Sequence, residues 1–274
     1  MISGKKCFIC GSDRAFTFRG KNICVNCFSE TYGSEKIWSS KIFADLLSGK
    51  KVFVLFSGGK DSLCAMAYTK EVVEMHGADC ELRALHVDTG ISLPGVEDYV
   101  REVCERLGID LVVVRPEKTF EEYVQRFGLP NWYRRWCCAY LKVEPIRRYV
   151  QGVEGEKLLV DGIRRTESSR RARYSIMYWY SRFPCPTVSP ILYWTDEGVE
   201  SFIRARGLPV SPAYAVLGKS GECMCGAFSS EKEFLLLKQH YPQFFKRLCE
   251  IEKANKSGYT YLFKNGKRIP LSNL

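Results

Sequence analysis

The order of apolar runs across residues 51–161 restricts the fold more than any other property of this chain. Strand-length runs alternate there with helical patterns. Lys51-Val52-Phe53-Val54-Leu55-Phe56 predicts a strand that leads into a helix at about 61–75. A strand over 82–88 precedes a helix at about 95–107, and a strand over 110–114 precedes a helix at about 119–127. A further strand is expected over 157–161. Strands that alternate with helices require crossover connections, and these give a mostly parallel sheet with helices on both faces: an α/β, doubly wound architecture.

The flanking regions have other textures. Residues 1–36 are short, polar and rich in cysteine, and are expected to form a zinc ribbon or knuckle. Residues 37–228 are expected to form the nucleotide-binding domain, and 229–274 a C-terminal extension. Within 170–220 the chain is irregular and punctuated by Pro184, Pro186, Pro190, Pro209 and Pro212, with a helix at about 196–206 after a Thr195-Asp196-Glu197 start signal. The extension predicts a helix over 230–253 and a β-hairpin over 259–269 that turns at Asn265-Gly266.

Apolar residues are 46% and charged residues 26% of the 274, which excludes a mainly disordered or coiled-coil chain. No run approaches the roughly 18 apolar residues of a membrane span, and the first residues lack the apolar stretch of a signal peptide. A cytoplasmic protein with no membrane partner is expected. Cysteines in that compartment stay reduced, so thirteen of them, beside three histidines, point to metal or sulfur chemistry.

Cys7-x2-Cys10 and Cys24-x2-Cys27 have the spacing of a structural zinc (Zn2+) site, because each short turn aims two thiolates at one ion. Lys5, Lys6, Arg14, Arg19 and Lys21 nearby favour the thiolate form. The alternative is four reduced cysteines in a small apolar cluster. A region this short, however, needs a staple to fold.

Ser57-Gly58-Gly59-Lys60-Asp61-Ser62 follows the first sheet strand and opens a helix. The two glycines let a phosphate approach the backbone, the helix N-terminus presents free N–H groups, and Lys60 adds charge. The order of residues is not that of a Walker A loop. The hexapeptide resembles the PP-loop of the ATP-pyrophosphatase superfamily, whose fold is the adenine nucleotide alpha hydrolase-like one. His86-Val87-Asp88-Thr89-Gly90, Trp136-Cys137-Cys138-x3-Lys142-Val143-Glu144-Pro145 and Asp161-Gly162-Ile163-Arg164-Arg165-x-Glu167-Ser168 are similar to motifs of the 3′-phosphoadenylyl sulfate (PAPS/APS) reductase family. So are Val188-Ser189-Pro190-Ile191-x2-Trp194-Thr195 and Pro212-x-Tyr214-x3-Gly218.

The resemblance covers about 50–228. It implies that Ser57, Gly58, Gly59, Lys60, Asp61, Ser62, Gly162, Arg164 and Arg165 hold ATP or an adenylyl sulfate. It also implies that Lys60, Asp61 and Asp88 serve catalysis, the two aspartates near the phosphates or their magnesium (Mg2+). Asp88 read by itself is a candidate helix cap for the next segment, a role compatible with the other. The resemblance further implies a 4Fe-4S cluster on Cys137, Cys138, Cys223 and Cys225, although Cys223-x-Cys225 is one residue shorter than the family's pair. Three arrangements are open. All four cysteines hold the cluster, three hold it and leave one iron free, or Cys185 replaces one member. Cys64, Cys80, Cys104 and Cys249 read as small core hydrophobes.

The formal net charge is +10, and 131–185 alone carries twelve Lys+Arg against five Asp+Glu. Arg164, Arg165, Arg170, Arg171 and Arg173 are interleaved with Tyr174, Tyr178, Trp179 and Tyr180. That mixture suits looped RNA such as tRNA, and it equally suits a solvated loop over an apolar core. Three functions stay in view. ATP-dependent adenylation and thiolation of RNA needs a sulfur donor protein or sulfide. Sulfonucleotide reduction uses, in the family, a cysteine near the C-terminus, and no cysteine follows Cys249 here. A non-catalytic nucleotide-binding module is the third. Thiolation is the preferred expectation.

Overall fold

The computed structural model describes residues 5–264 and 266–274. Its centre is a six-stranded sheet of β3 (Lys51–Leu55), β4 (Glu81–Val87), β5 (Asp110–Val114), β6 (Lys157–Val160), β7 (Met177–Tyr178) and β8 (Thr187–Val188), in the order β5-β4-β3-β6-β8-β7. All neighbours run parallel except the edge pair β7–β8. An N-terminal hairpin of β1 (Ala15–Phe18) and β2 (Lys21–Cys24) precedes α1 (Val25–Tyr32) and α2 (Ser40–Leu47). The hairpin turns at Arg19 (φ 47°) and Gly20 (φ 74°), the paired positive φ values of a tight two-residue turn.

The strand order follows from how each strand divides its side chains. Val52 and Val54 of β3 enter one apolar core with α3 (Lys60–His76) and α4 (Val96–Leu107). Phe53 points the other way, into a second core with Ile146 and Val150 of α6 (Glu144–Gly152). The chain thus winds outward through β4 and β5 on one face, then returns to lay β6 on the other side of β3 under a helix on the opposite face. The crevice between the C-terminal ends of β3 and β6 is the switch point where doubly wound sheets bind ligands.

A third core, capped by α9 (Glu231–His240) and α10 (Pro242–Ala254), joins α5 (Phe120–Phe127) to Ile91, Leu93 and the later cysteine segments. The single helix expected over 230–253 is two helices. Pro242 opens α10, and Tyr241 before it leaves the helical region (φ −134°, ψ 57°), since proline lacks the N–H that would continue α9. β9 (Leu262–Lys264) and β10 (Lys267–Ile269) pair as the expected hairpin, whose turn residue Asn265 lies outside the described residues. Buried Glu252 of α10 accepts the N–H groups of Tyr261 (2.8 Å) and Leu271 (2.6 Å), which pins that tail down. The region 170–220, expected to be irregular apart from α7 (Asp196–Arg206), also contains β7, β8 and α8 (Ala213–Leu217). Among the described residues no helix is long and apolar enough to cross a membrane.

Candidate functional site

The loop after β3 is shaped by its glycines and serines. Gly58 takes a left-handed conformation (φ 79°), and Gly59 caps α3 with no side chain on the helix N-terminus. Ser57 and Ser62 hydroxyls lie 3.1 Å apart and tie the two ends of the loop together. The loop after β6 closes over this turn. A Cβ on Gly162 would stand 2.6 Å from the Asp61 carbonyl carbon and from the Ser62 nitrogen, so only glycine fits. Gly162→Ala is therefore expected to destabilise the fold by about 1–3 kcal/mol through overpacking. An unchanged denaturant midpoint would refute this.

The charged residues assigned by resemblance separate on the structure. Arg164, 5% exposed, donates to Asp61 (2.7 Å), Asp196 (2.7 Å) and Thr166 (2.9 Å), so it clamps the loop. Burial raises the Asp61 carboxyl above its usual range, against the pull of Arg164. Arg165 turns away, donates twice to the Tyr174 carbonyl and lies over the Tyr193 ring. Asp88 follows β4 on the same sheet edge, where it accepts from Arg115 (2.9 Å) and from the Gly90 N–H (3.0 Å). Lys60 reaches Glu200 (3.9 Å) and the Tyr214 ring. Tyr214, within Pro212-x-Tyr214-x3-Gly218, is a site residue not expected from sequence. Its hydroxyl accepts the Lys60 N–H at 3.1 Å.

The first cysteine quartet is gathered tightly. The sulfurs of Cys7, Cys10, Cys24 and Cys27 all lie within 4.8 Å of one another, with Cys10 and Cys24 at 3.6 Å. A tetrahedral zinc with bonds of about 2.3 Å has sulfur–sulfur edges of about 3.8 Å. The donor set and its spacing fit that ion.

The second set meets from two distant segments. Cys137 and Cys225 sulfurs are 3.4 Å apart, with Cys138 and Cys223 beside them. Cys138 opens a π-helical turn (Cys138–Val143), a distortion that often marks functional sites. Among the described residues only the first quartet has all its sulfurs within 4.8 Å, so the second is wider than a single tetrahedral ion needs. Its all-thiol donors suit an iron–sulfur cluster. The hydrogen bond from Cys137 and the Lys142 ammonium hold the Cys138 thiol down to about 7, while its contact with Cys138 pushes Cys137 up to about 12. Cys185 packs in the core beneath α6, and the structure does not bring it to these thiols. Cys64 and Cys104 are buried in the main core, as expected.

Two further residues were not expected from sequence. Lys142 bonds Glu222 at 2.6 Å, an ion pair that bridges the Cys138 turn and the Cys223 loop. The loop after β4 also joins them, through Thr89 to the Glu222 carbonyl (3.2 Å), Met224 N–H to Ile91 (2.9 Å) and Leu93 N–H to Gly221 (2.9 Å). The cysteine pairs therefore sit on the same sheet edge as the glycine loop.

Residues 51–218 match the phosphoadenosine phosphosulfate reductase domain. The chain belongs to that family. Among the relatives of this phosphoadenosine phosphosulfate reductase family member, an uncharacterized protein of Methanocaldococcus jannaschii is 29% identical, over 72% of this chain and 46% of that protein. The adenosine 5′-phosphosulfate reductase of Streptomyces coelicolor is 28% identical, over 58% of this chain and 70% of that one. The chain spans about half the length of the first curated relatives it matches or less, 46% and 40%. Among solved structures, the U34-tRNA thiolase NcsA from Methanococcus maripaludis, with its 4Fe-4S cluster, aligns at a TM-score of 0.45 and 17% identity, covering 94% of this chain and 87% of that one.

Proposed function

We propose that this chain is a PP-loop enzyme that adenylates an RNA acceptor with ATP and replaces an oxygen of that acceptor with sulfur. One observation carries the reading: the glycine loop and four converging thiols occupy one sheet edge, linked by the loop after β4. An activating nucleotide and a sulfur-handling group would need that proximity. Gly58, Gly59 and the uncapped start of α3 would receive the phosphates, with Lys60 as counter-charge and Asp61 and Asp88 toward magnesium. A carbonyl oxygen of the acceptor attacks the α-phosphorus and pyrophosphate leaves. A sulfide-level donor then attacks the same carbon, and AMP leaves with the original oxygen. Cys137, Cys138, Cys223 and Cys225 would hold a cluster, which would supply a binding point for reduced sulfur. Zinc on the first quartet would be structural, since four thiolates leave no open position.

Sulfonucleotide reduction is the second reading, supported by the relationship to an adenosine 5′-phosphosulfate reductase. It needs a nucleophilic thiol, and Cys249 on α10 is raised by burial and by nearby Glu252.

Anaerobically purified protein is expected to contain about four irons and one zinc per chain. It should release pyrophosphate from ATP only when RNA is added, and Lys60→Ala should slow that release by about 100-fold. Sulfite release from an adenylyl sulfate with a thiol donor, and no RNA-dependent pyrophosphate, would replace this reading with the reductase.

A further inference from the structure

A cavity of about 1010 Å³ lies where the N-terminal module meets the segment between β6 and β8. One wall carries Cys10, Cys24 and Arg14, and the other carries Arg170, Arg173, Tyr174 and Tyr180. The cluster of arginines that is dense in sequence divides sharply here. Arg164, Arg165 and Arg171 spend their guanidinium groups on Asp61, the Tyr174 carbonyl and Glu167. Arg14, Arg170 and Arg173 are exposed, and their side chains have no carboxylate partner among the described residues. Three uncommitted positive charges, against the single carboxylate of Glu30, thus face one groove from two separate parts of the chain.

The groove's floor points to its occupant. Tyr178 lines it and donates its hydroxyl to buried Asp161 at 2.5 Å, one residue before the glycine that packs on the phosphate loop. Ile163, one residue after that glycine, lines it too. The inner end therefore abuts the loop proposed to hold ATP. Guanidinium groups on the walls match phosphates, and the exposed Tyr180 ring and the half-buried Tyr174 ring between them match unstacked bases. A duplex keeps its bases stacked inside and cannot offer them to those rings.

We propose that this groove binds an unpaired stretch of RNA, with phosphates on Arg14, Arg170 and Arg173 and bases stacked on Tyr174 and Tyr180. It is thereby the acceptor-docking surface of the enzyme, and it rests on the reading that the acceptor is RNA. The N-terminal module, on this view, is one jaw of the substrate site.

The test uses the full chain, without ATP, and a fluorescently labelled unstructured RNA 12-mer compared with the same strand in a duplex, by anisotropy across a salt series. The single strand is expected to bind at least tenfold more tightly than the duplex. Replacing Arg14, Arg170 and Arg173 together with Ala should flatten the salt slope by about two, at about 0.7 per phosphate contact. Tyr174→Ala with Tyr180→Ala should weaken binding by roughly tenfold per ring. Zinc content and thermal unfolding report whether each variant is folded, and Arg170→Ala/Arg173→Ala is measured separately because Arg14 neighbours the cysteine quartet. Equal affinity for duplex, or an unchanged salt slope in the arginine variants, overturns the proposal. RNA binding without RNA-dependent pyrophosphate release keeps the groove and removes the thiolation reading. RNA-dependent release by arginine variants of unchanged RNA affinity does the reverse.

Discussion

Cys24→Ser is expected to strip the metal from the N-terminal module and to lower stability by several kcal/mol. Structural zinc contributes about 10–16 kcal/mol of apparent binding free energy in finger peptides, and that binding is folding free energy. Cys24 has three duties at once. It ends β2, it caps α1 by accepting the Cys27 N–H, and its sulfur lies 3.6 Å from Cys10. The hairpin's Phe16, Phe18 and Ile23 are buried together with Phe28 of α1 and continue into the main core beside Phe43. An unligated module would therefore uncover apolar surface rather than fray harmlessly. Metal analysis should find no zinc in the variant, denaturant unfolding should begin earlier, and light scattering should rise. Cys80→Ser, outside the quartet, is the control. Full zinc occupancy with an unchanged midpoint in Cys24→Ser would remove the zinc assignment.

Lys142→Met should cost about 3 kcal/mol, the lower end of the cost of orphaning a buried charge, because the lysine side chain is about one-third exposed. Glu222 is 7% exposed, and its carboxylate would lose the ammonium 2.6 Å away. Burial opposes the charge on Lys142, yet Glu222 holds the lysine protonated well above its ordinary range. The ammonium also favours the Cys138 and Cys223 thiolates, so its loss should slow their modification by a thiol reagent in metal-free protein. Lys142→Met/Glu222→Gln should recover most of the stability, because no charge is left buried alone. Failure of the double variant to recover, with melting equal to the single variant, would show that the pair contributes packing alone.

The sheet was legible because its signals are local. Alternation of Val52, Phe53 and Val54 between two cores and the left-handed Gly77 that ends α3 are properties of a few adjacent residues. β7 and β8 escaped because two residues each carry no periodicity, and α2 because eight residues barely fill a helical window. Pro242 is a local breaker inside an apolar pattern that runs on across it, so the pattern alone reads as one helix. The site divides the same way. Gly162 stands in a recognisable motif, but its reason, the backbone of Asp61 and Ser62 2.6 Å from where a methyl would go, is tertiary. Nothing local says that Arg164 turns to Asp61 while Arg165 turns to Tyr174. The Lys142–Glu222 pair joins residues eighty apart, and one sequence carries no trace of it.

The seam between the N-terminal hairpin and the sheet sets a timetable. Thr17 N–H and Lys5 both bond Glu156, 139 and 151 residues later, Ser29 bonds the Met177 carbonyl, and Tyr193 reaches back to Gly33. A ribosome adds about 5–20 residues per second, so roughly 7–28 seconds separate the making of Thr17 from the making of its partner. During that interval the hairpin has no sheet to lean on. Four thiolates on one ion would let it keep its shape while it waits, and a cell short of zinc would then show the defect first in newly made chains, before mature ones lose anything.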